Sequence, residues 1–270
     1  MKPELDPDLS GGETTVEKWT NPDLTTLQTS RSQRRWRRLL VGVLVLWQCL
    51  LTSLLTLAGL EDPKVFAMAC MMWGLNLLWI GLGGIASLIT AAPVRHWGKA
   101  TRHRYFWFVG GCTVLALVEE AVTTAMTNAA PWFGVALGEV FITASADYLD
   151  VVLYHSVVVI VPQFLAWGWI LSRWHISAFG AMIVYGLTGF FNEALFSGPN
   201  PFALAQWILV YGLMVFLPAQ LYAHKPGRRP VRWWMFPLLV LLPILASLPM
   251  VALLLNVIAP GHPSIHFAQN

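Results

Sequence analysis

Glu119 and Glu120 stand side by side in a stretch apolar enough to lie in a membrane, and no lysine or arginine falls between Arg104 and Arg173 to balance them. A buried carboxylate without a cation is expensive. It must hold its proton, accept hydrogen bonds, or close around a cation. Glu139, Asp147, Asp150 and Glu193 follow in the same half, together with His155 and Asn192. Carboxylates with one imidazole suit a divalent metal ion such as zinc, or an activated water. A glutamate beside that water can act as general base, and the Asn192 amide can donate to an oxyanion. On this reading Glu119, Glu120, His155 and Asn192 are the catalytic candidates, and Glu120, His155 and Glu193 the candidate metal ligands. The same groups suit two other tasks. Intramembrane carboxylates relay protons or hold transported cations. A polar pocket beside the deeper tryptophans (Trp73, Trp79, Trp167, Trp169 and Trp207) would suit a non-catalytic subunit that binds a lipid or apolar ligand.

The elements that carry these residues follow from composition. The chain has 270 residues, 56% hydrophobic and 11% charged, where a soluble domain carries about a quarter charged residues. This implies an all-α, polytopic membrane bundle. Seven runs approach the length needed to cross a bilayer: 39–60, 65–93, 105–128, 150–172, 177–197, 202–223 and 233–258. With the N-terminus inside and the C-terminus outside, the basic clusters at Arg34–Arg38, Arg95–Arg104, Arg173 and Lys225–Arg232 all face the cytoplasm, and only Lys64 faces out. That is the positive-inside pattern, and it points to the plasma (inner) membrane of a bacterial-type cell. The third span then carries Glu119 and Glu120 into the non-cytoplasmic leaflet. Asp147, Asp150, His155, Asn192 and Glu193 approach the same leaflet from the fourth and fifth spans.

Three regions complete the layout. Residues 1–33 are polar and poor in core-forming side chains, as expected of a disordered cytoplasmic tail. Residues 34–260 form the transmembrane domain. Residues 261–270 form a short external tail, in which His262 and His266 could bind metal loosely but are expected to be solvated. The stretch 132–146 is apolar but short for a span and is expected to be a re-entrant or interfacial helix over a cavity. Asp147 and Asp150 can be solvated loop acids. Basic residues placed to set orientation imply membrane lipid as a partner, and nucleic acid is not expected.

The Glu119-Glu120 tandem in a membrane helix resembles the first motif of the CAAX-processing and bacteriocin-immunity type intramembrane metalloproteases. His155 follows at a distance similar to their second motif. The stretch from Phe164 to Trp174, leading to Gly189 through Glu193, resembles the hairpin that carries their third. The resemblance spans about residues 115–197. Thr124 stands where the family usually has an arginine, and Asn192-Glu193 where it has a histidine. The resemblance implies a hydrolase acting on a membrane-embedded peptide or lipid-like substrate. Glu119 or Glu120 would activate water, His155 would help to hold it, and Asn192 would support the oxyanion.

Overall fold

A backbone in hydrocarbon must satisfy its own hydrogen bonds, so long apolar runs become helices. The computed structural model describes residues 24–267. Its helices are α1 (Leu24–Ala58), α2 (Pro63–Leu75), α3 (Gly84–Ala100), α4 (Arg104–Asn128), α5 (Tyr148–Asp150), α6 (Val157–Arg173), α7 (Ala178–Ser197), α8 (Leu204–Ala219) and α9 (Phe236–Leu253). Wide π turns follow three of them, at Asn76–Gly83, Val151–His155 and Leu254–Ile258. Among the described residues six helices are long and apolar enough to cross a membrane. There are seven if Tyr148–His155 and Val157–Arg173, bent by 50° from one another, make one broken span. The chain is therefore an all-α, multi-pass membrane protein, and the spans fall close to those expected.

The chain divides into two compact units, Met1–Val41 and Gly42–Asn270. In the first, the described residues are the helical stretch 24–41. Helix thus reaches into the segment expected to be a disordered tail, and residues 1–23 lie outside the described residues. Everything below concerns the second unit.

Polar side chains tie the helices where no hydrophobic effect operates between them. Gln48 and Thr52 of α1 bond Asn76, with Gln48 Nε2 at 3.2 Å from Asn76 Oδ1 and Asn76 Nδ2 at 2.9 Å from Thr52 Oγ1. Gln163 of α6 accepts from Tyr185 and Asn192 of α7 and donates to Ser247 of α9. α7 and α8 approach closely through glycines, since a Cβ at Gly186 would meet the Ile208 carbonyl oxygen and one at Gly212 the Met182 carbonyl oxygen. The main core runs through Trp79, Phe108, Phe164, Trp167, Tyr185 and Tyr222.

Basic residues gather at one end of this bundle. Lys225 Nζ donates to the Ser172 carbonyl oxygen, Arg228 to that of Trp174, and Arg104 to that of Gly98. Trp174–His175 and Arg229–Pro230 pair there as a minimal parallel sheet. At the other end lies 129–147, where the expected helix is absent. Pro131 opens a single 3-10 turn, Ala130–Phe133. Gly134 and Gly138 then take φ of 86° and 87°, a left-handed conformation that stops a helix. The segment is a folded loop, tied to α4 by Asn128 Nδ2 to the Ala146 carbonyl oxygen (2.8 Å) and by Thr127 Oγ1, which accepts from Ile142 N–H (3.2 Å). The C-terminal segment packs on this loop. His266 N–H donates to the Ala144 carbonyl oxygen at 2.8 Å, and the Phe141 and Phe267 rings lie 5.0 Å apart. Described through residue 267, the tail is folded against the bundle rather than simply solvated.

Candidate functional site

Asp147 caps α5, its carboxylate accepting from the backbone N–H groups of Leu149 and Asp150. This fixes Asp150 in the first turn. Asp150 and His155 are five residues apart, which on an α-helix of 3.6 residues per turn would separate them by about 140°. The π turn changes that. Ser156 N–H reaches back five residues to the Val151 carbonyl oxygen at 2.9 Å, and the wider turn brings Asp150 and His155 together. His155 Nε2 lies 3.4 Å from Asp150 Oδ2. From the C-terminal segment, His262 Nε2 comes within 3.1 Å of both Asp150 Oδ1 and His155 Nε2. His266 Nδ1 stands 3.3 Å from Asp150 Oδ2.

Asp150, His155 and His262 form a possible metal-binding triad, with one donor atom from each lying within 4.8 Å of the others. The spacing is informative. Ligands at about 2.0–2.1 Å around a tetrahedral zinc ion stand about 3.3 Å from one another. His262 Nε2 stands 3.1 Å from His155 Nε2, near that edge length, while the two histidines approach different oxygens of Asp150, at 3.1 Å (Oδ1) and 3.4 Å (Oδ2). One carboxylate and two neutral imidazoles carry a single negative charge and leave a fourth position for water, the pattern of catalytic rather than structural zinc sites. The Asp150 and His155 side chains are 11% exposed and His262 21%, whereas His266 is 54% exposed. His266 therefore buttresses Asp150 from outside.

The glutamates form a second group. Glu119 is buried (5% exposed) and has no hydrogen-bond partner for its carboxylate among the described residues. Glu120 accepts from Thr123 Oγ1 at 3.2 Å and lines the same cavity as Ser156, the residue after His155. Glu193 accepts from the Tyr211 hydroxyl at 2.5 Å. That contact exists because residue 189 is glycine, since a Cβ there would stand 2.2 Å from Tyr211 Cγ. All three carboxylates lie within electrostatic reach of one another and of Tyr211.

One cavity of about 1270 Å³ joins the two groups. His155 and His262 line it, as do Glu119, Glu120, Glu193 and Asn192. The loop contributes Phe141 through Ala144, so it does border a cavity as expected of that segment. Of the deeper tryptophans, Trp207 lines the space, while Trp79 instead donates to the Val210 carbonyl oxygen.

The sequence-derived candidates are thus gathered around one space but not into one metal site. His155 belongs to a metal set with Asp150 and His262; Glu120 and Glu193 are not in it. The Asn192 amide donates to Gln163 Oε1 at 3.2 Å, which ties it into the helix-linking network, and its second N–H is a further donor at the cavity it lines. Glu139 pairs with Lys64 at 3.3 Å on the surface, and its carboxyl is held below the usual range, first by the Ala136 backbone N–H and then by Lys64. The sequence leaves His262 as a loose ligand in the tail rather than a member of this set. Its signal was the four-residue spacing to His266 in the last stretch of chain, a spacing that puts two imidazoles on one side of a turn. No protein-family model, curated protein or solved structure matches this chain.

Proposed function

We propose that this protein is a metal-dependent hydrolase of the membrane, acting on an apolar or lipid-like substrate held in the 1270 Å³ cavity. The observation that carries this reading is the Asp150–His155–His262 triad, whose two histidines line a cavity that also holds carboxylates. A divalent ion on these ligands would lower the pKa of a bound water toward neutrality and polarise a substrate carbonyl. The water oxygen would attack the carbonyl carbon, and its proton would pass to a carboxylate. Glu120 is the candidate acceptor, because it lines the cavity together with His155. The departing oxygen or nitrogen would take that proton back as the carbon–heteroatom bond breaks. Glu119 and Glu193 would hold the substrate.

This reading keeps the hydrolytic chemistry implied by the resemblance to intramembrane metalloproteases and moves the metal to different ligands. The gathering of basic residues at the opposite end supports an orientation in which the triad faces the non-cytoplasmic side. Zinc-loaded protein in detergent should release fluorophore from an acyl ester or acyl amide of medium or long chain, and chelation should stop the release. Asp150→Asn and His262→Ala should lack it. A panel of such substrates cleaved equally by wild type and both variants, or by none of them, rules hydrolysis out. A proton or cation flux in vesicles that ends with Glu119→Gln and persists without metal would instead establish transport.

A further inference from the structure

We infer that the glutamate end of the cavity binds a protonated amine carried on an apolar chain; as the substrate class, this rests on the hydrolytic reading above, whereas the amine site itself stands on its own geometry. Four observations lead there. First, the cavity is acidic and lacks a matching cation, for no lysine or arginine lines it among the described residues. Three carboxylates grouped in a low-dielectric space ionise only at a cost, which an incoming positive charge offsets.

Second, the three are not equivalent. Thr123 donates to Glu120, and Tyr211 donates to Glu193. These bonds fix both carboxylates in place. Glu119, at 5% exposure, faces the cavity with no hydrogen-bond partner among the described residues. A buried acceptor left open on a cavity is a place for an incoming donor.

Third, the spacing disfavours a bare ion. Metal-ligating groups must converge closely, and the set that does so among the described residues is Asp150, His155 and His262, with none of the glutamates. An ammonium group carries three N–H donors. It can bond Glu119 directly and one neighbour, while the third carboxylate stabilises it through space.

Fourth, the rest of the cavity is built for a chain. Leu54, Leu55, Leu195, Leu248 and Leu255 line it and are also exposed on the outer face of the bundle. The apolar limb therefore opens sideways, where lipid chains would lie. At about 1270 Å³ the space exceeds the roughly 300–1,000 Å³ of a typical small-molecule pocket. A single-chain amphiphile can enter from the lipid with its tail along this limb and its amine against Glu119. A fatty acid or phosphate head would meet like charge at the same place.

The test uses the full chain in detergent with hexadecylamine, hexadecanol and hexadecanoate as probes. Hexadecylamine should bind saturably at one per chain and at least about tenfold more tightly than hexadecanol, and hexadecanoate should not bind. Glu119→Gln should weaken the amine by about tenfold or more while leaving hexadecanol binding in place, which shows that the cavity is still folded. Glu193→Gln provides the second variant, with the same direction expected. Equal binding of amine and alcohol by wild type overturns the inference. So does undiminished amine binding in both variants, or displacement of the amine by millimolar sodium or calcium. Asp150→Asn separates this inference from the hydrolytic reading: amine binding should persist there. Amine binding in a wild-type protein that holds no metal would remove the hydrolytic reading and leave the amine site standing.

Discussion

Gly189→Ala tests how the α7–α8 contact shapes the site. The new Cβ would lie 2.2 Å from Tyr211 Cγ, 2.3 Å from Cδ2 and 2.6 Å from Cβ. Carbon atoms in ordinary contact sit about 3.5–4.0 Å apart, so the ring must retreat by more than about 1 Å. The Tyr211 hydroxyl now lies 2.5 Å from Glu193 Oε1, and a shift of about 1 Å takes it past the range of a good O–H···O bond. Overpacking costs about 1–3 kcal/mol. Loss of a hydrogen bond to a charged group costs about 1.5–3 kcal/mol more. The gain in helix propensity over glycine returns about 1 kcal/mol. The net is about 1.5–5 kcal/mol, or a fall in Tm of about 3–20 °C for a unit of this size. Thermal melts in detergent read it. In a Tyr211→Gly background all three blocking atoms are gone. There Gly189→Ala should become neutral, or stabilising by up to about 1 kcal/mol. An equal loss in both backgrounds, or none in the wild type, would refute the idea that this glycine makes room for the ring.

Three further outcomes follow. Gln163→Leu deprives the buried Tyr185 hydroxyl and Asn192 amide of their shared acceptor, so melts should report a loss of about 2–5 kcal/mol. His266→Ala removes a support of Asp150 rather than a donor of the triad, so zinc affinity measured by competition with a chelating dye should fall about 10–100-fold without being abolished. The exposed pair of Glu139 and Lys64 should matter little, and Glu139→Gln should leave Tm near neutral pH almost unchanged. Because the Glu139 carboxyl is held below its ordinary value of about 4.3, whatever it contributes is present above that pH and is lost as pH falls through its folded value. The difference between wild type and Glu139→Gln should therefore vanish in acid melts.

The spans were legible because bilayer thickness and backbone hydrogen bonding leave helices little freedom, and the apolar runs mark them directly. Glu119 and Glu193 were legible as cavity residues for the same reason, since a membrane helix gives a carboxylate nowhere else to point. The metal set was not. Asp150 and His155 look unrelated at α-helical periodicity, and only the π turn at Val151–His155 aligns them. His262 depends on a second such turn, Leu254–Ile258, and on the pairing of Ser145 with His266, both tertiary features without a periodic signature. The stretch 132–146 misleads for the opposite reason. Its apolar residues fit a helix, but Pro131, Gly134 and Gly138 break it, and the loop's side chains pack on α4 and the C-terminal segment instead.

The most direct test is the zinc content of purified protein, wild type beside His262→Ala, Asp150→Asn, Glu120→Gln and Glu193→Gln. The triad predicts one zinc per chain in the wild type, retained by both glutamate variants and lost by the other two. Zinc retained by His262→Ala but lost from Glu193→Gln, or no zinc bound by the wild type, would contradict it.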